Sequence, residues 1–147
     1  MLFAAGYSSQ QIFRSGDGGT TWTSMAPGQI LQPIMNLAID PQDDTSVLAT
    51  LYAMGVLRVE ATSTKPVLTD GEIEGITVDP VNPKIYYAAT RTSVRFSDNR
   101  GATWTAADGS LAGAHPRAVF VHPADRRHRW LATANRGIYF SLGELQP

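Results

Sequence analysis

The sequence predicts an all-β fold of repeated four-stranded units with almost no helix, and three observations carry that expectation. The first is self-similarity at a period of about 40 residues. The second is the texture of each period. Short runs rich in Val, Ile, Tyr and Thr alternate with Gly, Pro, Asp, Asn and Ser, as half-buried strands and their turns require. The third is that no segment keeps a 3.6-residue apolar period between capping residues.

The third repeat is the clearest. Ile76-Thr-Val-Asp-Pro80 is followed by Ile85-Tyr-Tyr-Ala-Ala-Thr90, Val94-Arg-Phe-Ser97 and Gly101-Ala-Thr-Trp-Thr105. The second runs Leu37-Ala-Ile-Asp-Pro41, Val47-Leu-Ala-Thr50, Gly55-Val-Leu-Arg58. The fourth runs Val119-Phe-Val-His-Pro123, Trp130-Leu-Ala-Thr133, Gly137-Ile-Tyr-Phe-Ser141. The first enters midway, with Leu2-Phe-Ala-Ala5, Ile12-Phe-Arg-Ser15 and Gly19-Thr-Thr-Trp-Thr23. Trp22 and Trp104 stand 82 positions apart, two periods of about 41. Naming the strands of a unit A to D, the first unit supplies B to D, the next two A to D, and the last A to C. A 40-residue period of four strands is the mark of a propeller blade. The expected fold is therefore a partial β-propeller of about four blades, two complete and two incomplete, in one domain over 1–147. The blades fall at about 1–25, 34–68, 73–107 and 117–143. A β-sandwich or an irregular β-solenoid is the rival.

Two segments carry a turn motif. Ser15-Gly-Asp-Gly-Gly-Thr-Thr-Trp22 fits Ser-x-Asp-x-Gly-x-Thr-Trp throughout, and Ser97-Asp-Asn-Arg-Gly-Ala-Thr-Trp104 fits with Asn99 for Asp. Asp17 and Asn99 are expected to accept backbone N–H bonds across the C–D turn. Gly19 and Gly101 supply conformations a Cβ forbids. Thr21 and Thr103 complete the pattern, and Trp22 and Trp104 offer apolar surface to pin each turn to its blade. On these residues the chain resembles the Asp-box (BNR-repeat) β-propeller superfamily. With its Asp-Pro turns it resembles the xyloglucanase-type, sortilin-type and photosystem II assembly factor-type repeats more than the sialidases. The resemblance spans nearly the whole chain and implies fold rather than one function. It implies the boxes Ser15, Asp17, Gly19, Thr21, Trp22 and Ser97, Asn99, Gly101, Thr103, Trp104 as structural staples, and an extracytoplasmic location as one option.

Composition narrows the function. Lys plus Arg number 12 against 13 for Asp plus Glu, so no overall basic field exists to hold a phosphate backbone, and nucleic acid is not an expected partner. The run Arg126-Arg127-His128-Arg129 reads as a solvated turn. There is no cysteine, which excludes disulfides, thiolate catalysis and thiolate metal centres. No apolar run reaches the roughly 20 residues of a membrane span, and the start at Met1 lacks the features of a signal peptide. The acidic trio Asp40, Asp43 and Asp44 lacks the Gly-spaced ligands of a cation loop. No metal or cofactor is expected.

In a blade the A–B and C–D turns lie at one end and the B–C and D–A loops at the other. The loop end is the expected binding face, and it carries Tyr7, Tyr52, Asp70, Glu72, Arg91, Asp108, His115, Arg117 and Arg136. Asp70 or Glu72 with Asp108 would be the carboxyl pair of a glycosidase. Turn formation is the plainer role for these acids, and no catalytic residue is assigned. His115, His122 and His128 read as loop or turn residues. The expected function is a non-catalytic scaffold or protein-interaction module. A protein partner or a second copy of the chain would cover the open blade edges, which are otherwise an aggregation hazard. Glycan is a further candidate ligand. The alternative is a fragment of an Asp-box glycoside hydrolase.

Overall fold

The strands fall where β-branched and aromatic residues cluster between turn formers. The computed structural model describes residues 1–70, 72–106 and 113–142. In order they are β1 (Leu2–Gly6), β2 (Gln11–Ser15), β3 (Thr23–Met25), β4 (Ile34–Asp40), β5 (Asp43–Leu51), β6 (Gly55–Val59), β7 (Thr64–Leu68), β8 (Ile73–Val78), β9 (Tyr86–Thr90), β10 (Val94–Ser97), β11 (Thr105–Ala106), β12 (Pro116–Val121), β13 (His128–Thr133) and β14 (Ile138–Leu142). There is no helix among the described residues, and hence none long and apolar enough to cross a membrane.

Four antiparallel meanders result: sheet 1 (β1-β2-β3), sheet 2 (β4-β5-β6-β7), sheet 3 (β8-β9-β10-β11) and sheet 4 (β12-β13-β14). They stack face to face in chain order as a partial β-propeller. Alternation along each strand makes this stacking continuous. On β5, Val47, Ala49 and Leu51 join Ile12 and Met25 of sheet 1 in one core. Leu48 points the other way and joins Tyr86 and Ala88 of sheet 3. On β9, Tyr87 in turn packs against Val119 of sheet 4. The inner strands β4, β8 and β12 lie side by side at the axis. Together they line a groove of about 320 Å³.

The turns at one end are held by side chains. In the β2–β3 turn the Ser15 hydroxyl donates to Asp17 (2.8 Å) and accepts from the Gly19 N–H (2.8 Å). Asp17 accepts from the Thr21 N–H (2.9 Å) and hydroxyl (2.6 Å). These bonds, led by the Thr21 hydroxyl, hold the Asp17 carboxyl well below the usual carboxylate range. The β10–β11 turn repeats the pattern on Ser97, Asn99 and Gly101, with one polarity reversed: the Asn99 amide donates to the Thr103 hydroxyl (2.6 Å). Trp104 Nε1 donates to Gly101 O and, across the seam, to Val67 O of sheet 2. Trp22 also bonds its own glycine, Gly19, and is 43% exposed. Sheet 2 lacks the motif. There Glu60 takes over, accepting from Ser63 and Lys65 (both 2.8 Å).

The inner turns use one acceptor each. Asp40 Oδ1 accepts the Gln42 N–H, Asp79 Oδ1 those of Val81 and Asn82, and His122 Nδ1 those of Ala124 and Asp125. Asp40 and Asp79 are buried, and each faces an arginine of the next sheet, Arg100 at 3.8 Å and Arg126 at 3.6 Å. Neighbouring sheets are thus tied by charge as well as by apolar packing.

The basic run needs correction. Arg127 pairs with Asp125 at its turn, but Arg129 lies on β13 and is 6% exposed. Strand alternation carries it inward beside Tyr87. Burial raises the Tyr87 phenol above its ordinary value, and the Arg129 guanidinium opposes that rise. A run of like charge along a strand must split between two faces, so it is not one solvated patch.

Candidate functional site

The end of the arc opposite the Ser-x-Asp/Asn turns holds a cleft of about 300 Å³, and a repeated irregularity shapes it. Each inner strand begins with a β-bulge. Ile34 and Asn36 pair with consecutive residues of β5, Ile73 and Gly75 with consecutive residues of β9, and Pro116 and Ala118 with consecutive residues of β13. The extra residues are Met35, Glu74 and Arg117, and all three line the cleft with Tyr52, Glu72 and Arg91. A bulge re-aims a side chain that regular pleating would send elsewhere. Three equivalent bulges here turn one apolar, one acidic and one basic group towards a common space.

Close backbone approach fixes the arrangement. A Cβ on Gly75 would stand 2.7 Å from the Arg117 carbonyl oxygen, so glycine there allows β8 and β12 to lie this near. The Tyr52 N–H donates to Pro33 O (2.9 Å), tying the β5–β6 loop to the entry of β4. Next to it Ala53 takes a φ of 54°, a left-handed conformation unfavourable by about 1 kcal/mol for a residue with a Cβ. Strain of this kind gathers where a loop is held for a purpose.

The charges are matched. Glu74 is the least exposed of them, its side chain 14% accessible, and lies between Arg117 (2.5 Å) and Arg91 (3.8 Å). Arg91 also reaches Glu72 at 3.6 Å. Both cleft carboxylates are therefore engaged by guanidinium groups. Tyr52 and Met35 stand over the rim, 55% and 42% exposed. Among the described residues no group of His, Asp and Glu is placed to hold a metal ion.

Of the residues expected on this face, the cleft gathers Tyr52, Glu72, Arg91 and Arg117. Tyr7 is exposed on the β1–β2 turn and does not line it. Asp70 is held by Arg95 at 2.8 Å. His115, at a φ of 52°, accepts the Ala134 N–H through its backbone oxygen, and Arg136 bonds Thr133 through its N–H. Asp108 lies outside the described residues. Sequence reasoning missed Met35 and Glu74. Both sit within strands, and only an inter-strand register reveals a bulge.

No protein-family model matches the chain, and no curated protein matches it in sequence. Solved structures do resemble it. An ancestral GH74 enzyme aligns at a TM-score of 0.75 and 18% identity, over 97% of this chain and 21% of that one. The GH74 xyloglucanase from Xanthomonas campestris aligns at 0.67 and 20%, over 90% and 24%. YCF48 from Cyanidioschyzon merolae aligns at 0.64 and 19%, over 90% and 44%. These neighbours are β-propellers, and this chain spans less than half the length of each. At such identities the likeness is one of fold: the chain is an arc of a β-propeller.

Proposed function

We propose that this chain is a non-catalytic propeller-type interaction module whose recognition surface is the bulge-lined cleft. The observation that carries the reading is the set of three equivalent bulges delivering Met35, Glu74 and Arg117 to one place. A rigid sheet end presenting Tyr52, Met35 and paired charges suits a protein segment with an apolar anchor and adjacent polar groups. Tyrosine and arginine are the residue types that anchor such contacts. The two Ser-x-Asp/Asn-x-Gly-x-Thr-Trp turns are read as Asp-boxes acting as structural staples, since their polar groups are used within the turn.

A second reading is favoured by the likeness to GH74 structures: a piece of a glycan-acting enzyme. Against it, Asp70, Glu72 and Glu74 are each engaged by arginine, whereas glycoside hydrolysis uses two carboxyls facing a bond, one of them as proton donor. Selection of a displayed peptide library on the purified chain, with reducing-sugar release from xyloglucan assayed in parallel, tests the two. The module reading expects peptides that bind wild type, lose at least tenfold in affinity on Arg117→Glu and Tyr52→Ala, and no sugar release. Sugar release abolished by Glu74→Gln would overturn it.

A further inference from the structure

The two walls of the cleft differ in chemistry. Sheet 2 supplies an apolar wall, with Met35 and Tyr52. Sheets 3 and 4 supply a charged one, with Glu72, Glu74, Arg91 and Arg117. The walls meet across seams inside the arc, so packing between consecutive sheets sets their spacing.

The charged wall presents guanidinium groups. Glu74 lies beneath them, its side chain 14% exposed, with Oε2 on Arg117 Nη1 (2.5 Å) and Oε1 facing Arg91 Nε (3.8 Å). One shielded carboxylate thus sits between two guanidiniums whose side chains are each 54% exposed. The backbone holds Arg91 in place. Its N–H donates to Glu72 O (3.2 Å). The Thr90 hydroxyl accepts the N–H groups of Thr92 (3.3 Å) and Ser93 (2.9 Å), which pins the β9–β10 turn that carries Arg91. Arg117 is aimed by its bulge.

Each guanidinium carries five N–H donors in a planar fork. Among the described residues, the Arg117 side chain spends one in a hydrogen bond, to Glu74. The Arg91 side chain meets Glu72 at 3.6 Å and Glu74 at 3.8 Å, ion pairs beyond hydrogen-bond reach. Donor forks with capacity to spare match an acceptor with two oxygens. Glu72 is the competitor on the surface, 63% exposed, and it reaches Arg91 alone.

We infer that the cleft recognises an Asp or Glu side chain next to an apolar residue, within an internal segment of a partner protein. The carboxylate takes the spare donors of Arg91 and Arg117, and the apolar neighbour packs on Tyr52 and Met35. The inference rests on the cleft being the recognition surface and adds the chemistry of its partner. A side chain is favoured over a chain end because terminal carboxylates are captured in backbone N–H nests, whereas acidic motifs are read by arginine clusters. The two Glu and two Arg of the wall balance, so no net field draws in a polyanion. Selection is by short-range geometry.

The test pans the full chain against a displayed library in which both ends of each peptide are fused. Peptides that bind wild type and are lost on Tyr52→Ala are expected to share an Asp or Glu beside an apolar residue. A synthetic binder with blocked termini should weaken about tenfold, by calorimetry, when its acidic residue is replaced by the amide. That replacement leaves the folded chain untouched. Arg91→Gln should weaken the acidic binder about tenfold and the amide form little. Glu72→Gln should strengthen the acidic binder about threefold by releasing Arg91. Peptides that need Tyr52 but carry no acidic residue overturn this inference and leave the interaction-module reading standing. Equal effects of Arg91→Gln on the acidic and amide forms overturn it as well. Enrichment solely in a parallel library with free C-termini assigns the clamp to a chain end and also overturns it. A selection that yields no peptide at the cleft overturns both readings.

Discussion

Gly19 and Gly101 hold the same place in the same turn, and their surroundings differ in a way that tests the stacking of the sheets. Both have positive φ, 99° and 84°. A Cβ on Gly19 meets nothing nearer than Leu2 Cδ1 at 3.6 Å, ordinary contact. Gly19→Ala therefore costs only the backbone term, about 1–2 kcal/mol. A Cβ on Gly101 would stand 2.4 Å from Val67 Cγ1, across the seam to sheet 2. Val67 is β-branched and stiff, so an overpacking cost of about 1–3 kcal/mol adds to the backbone term. Gly101→Ala is expected to lose about 3 kcal/mol, roughly twice the loss at Gly19. Urea unfolding of each variant, followed by tryptophan fluorescence, measures the difference. On a Val67→Ala background the excess at Gly101 should vanish, giving a coupling of about 1–2 kcal/mol in a double-mutant cycle. Equal losses at both glycines, or no coupling to Val67, would refute the proposed contact between the turn and the preceding sheet.

Further outcomes follow from the turns and the cleft. Asp17 has a depressed folded pKa, so its contribution is present above the ordinary value of 3.8 and is lost as pH falls below it. Asn99 does the same work without titrating, so Asp17→Asn should fold and should lose less stability than wild type between pH 6 and pH 3, measured by urea midpoints. Asp43 adds to the acid lability in the same direction. Burial raises it, but bonds from Ser46 and Thr45 and the Arg58 charge bring it down to about 2, so its share is lost between 3.8 and about 2. The urea midpoint of Asp17→Asn should therefore still fall over that range. Asp79→Ala removes an acceptor of two backbone N–H bonds and the partner of Arg126, and should cost about 3 kcal/mol in thermal or urea unfolding. Gly75→Ala drives a Cβ into the Arg117 carbonyl, and should lower affinity for cleft-binding peptides as well as stability, read by calorimetry on one preparation.

The fold was legible because its signals are local. Strand texture, the Asp-Pro turns and the Ser-x-Asp/Asn turns each depend on residues a few positions apart, and repetition at one period confirms each by the next. The cleft was half legible. Tyr52, Glu72, Arg91 and Arg117 could be placed at one end of the arc because loops alternate ends from strand to strand. Glu74 and Met35 could not, because a bulge is a relation between two strands and places no demand on the type of the extra residue. Here it is Met, Glu and Arg in turn. The burial of Arg129 was hidden for a related reason. Its cationic neighbours suggest solvent, while the strand period that turns it inward begins only at His128.

The central claim is that the four sheets stack face to face, with sheets 2 and 3 enclosed on both faces. Native-state hydrogen exchange read strand by strand tests it most directly. Amides of β5 and β9 should be the slowest, and those of β1 and β14 markedly faster. Exchange in β5 and β9 as fast as in β1 and β14 would contradict the stacked arc.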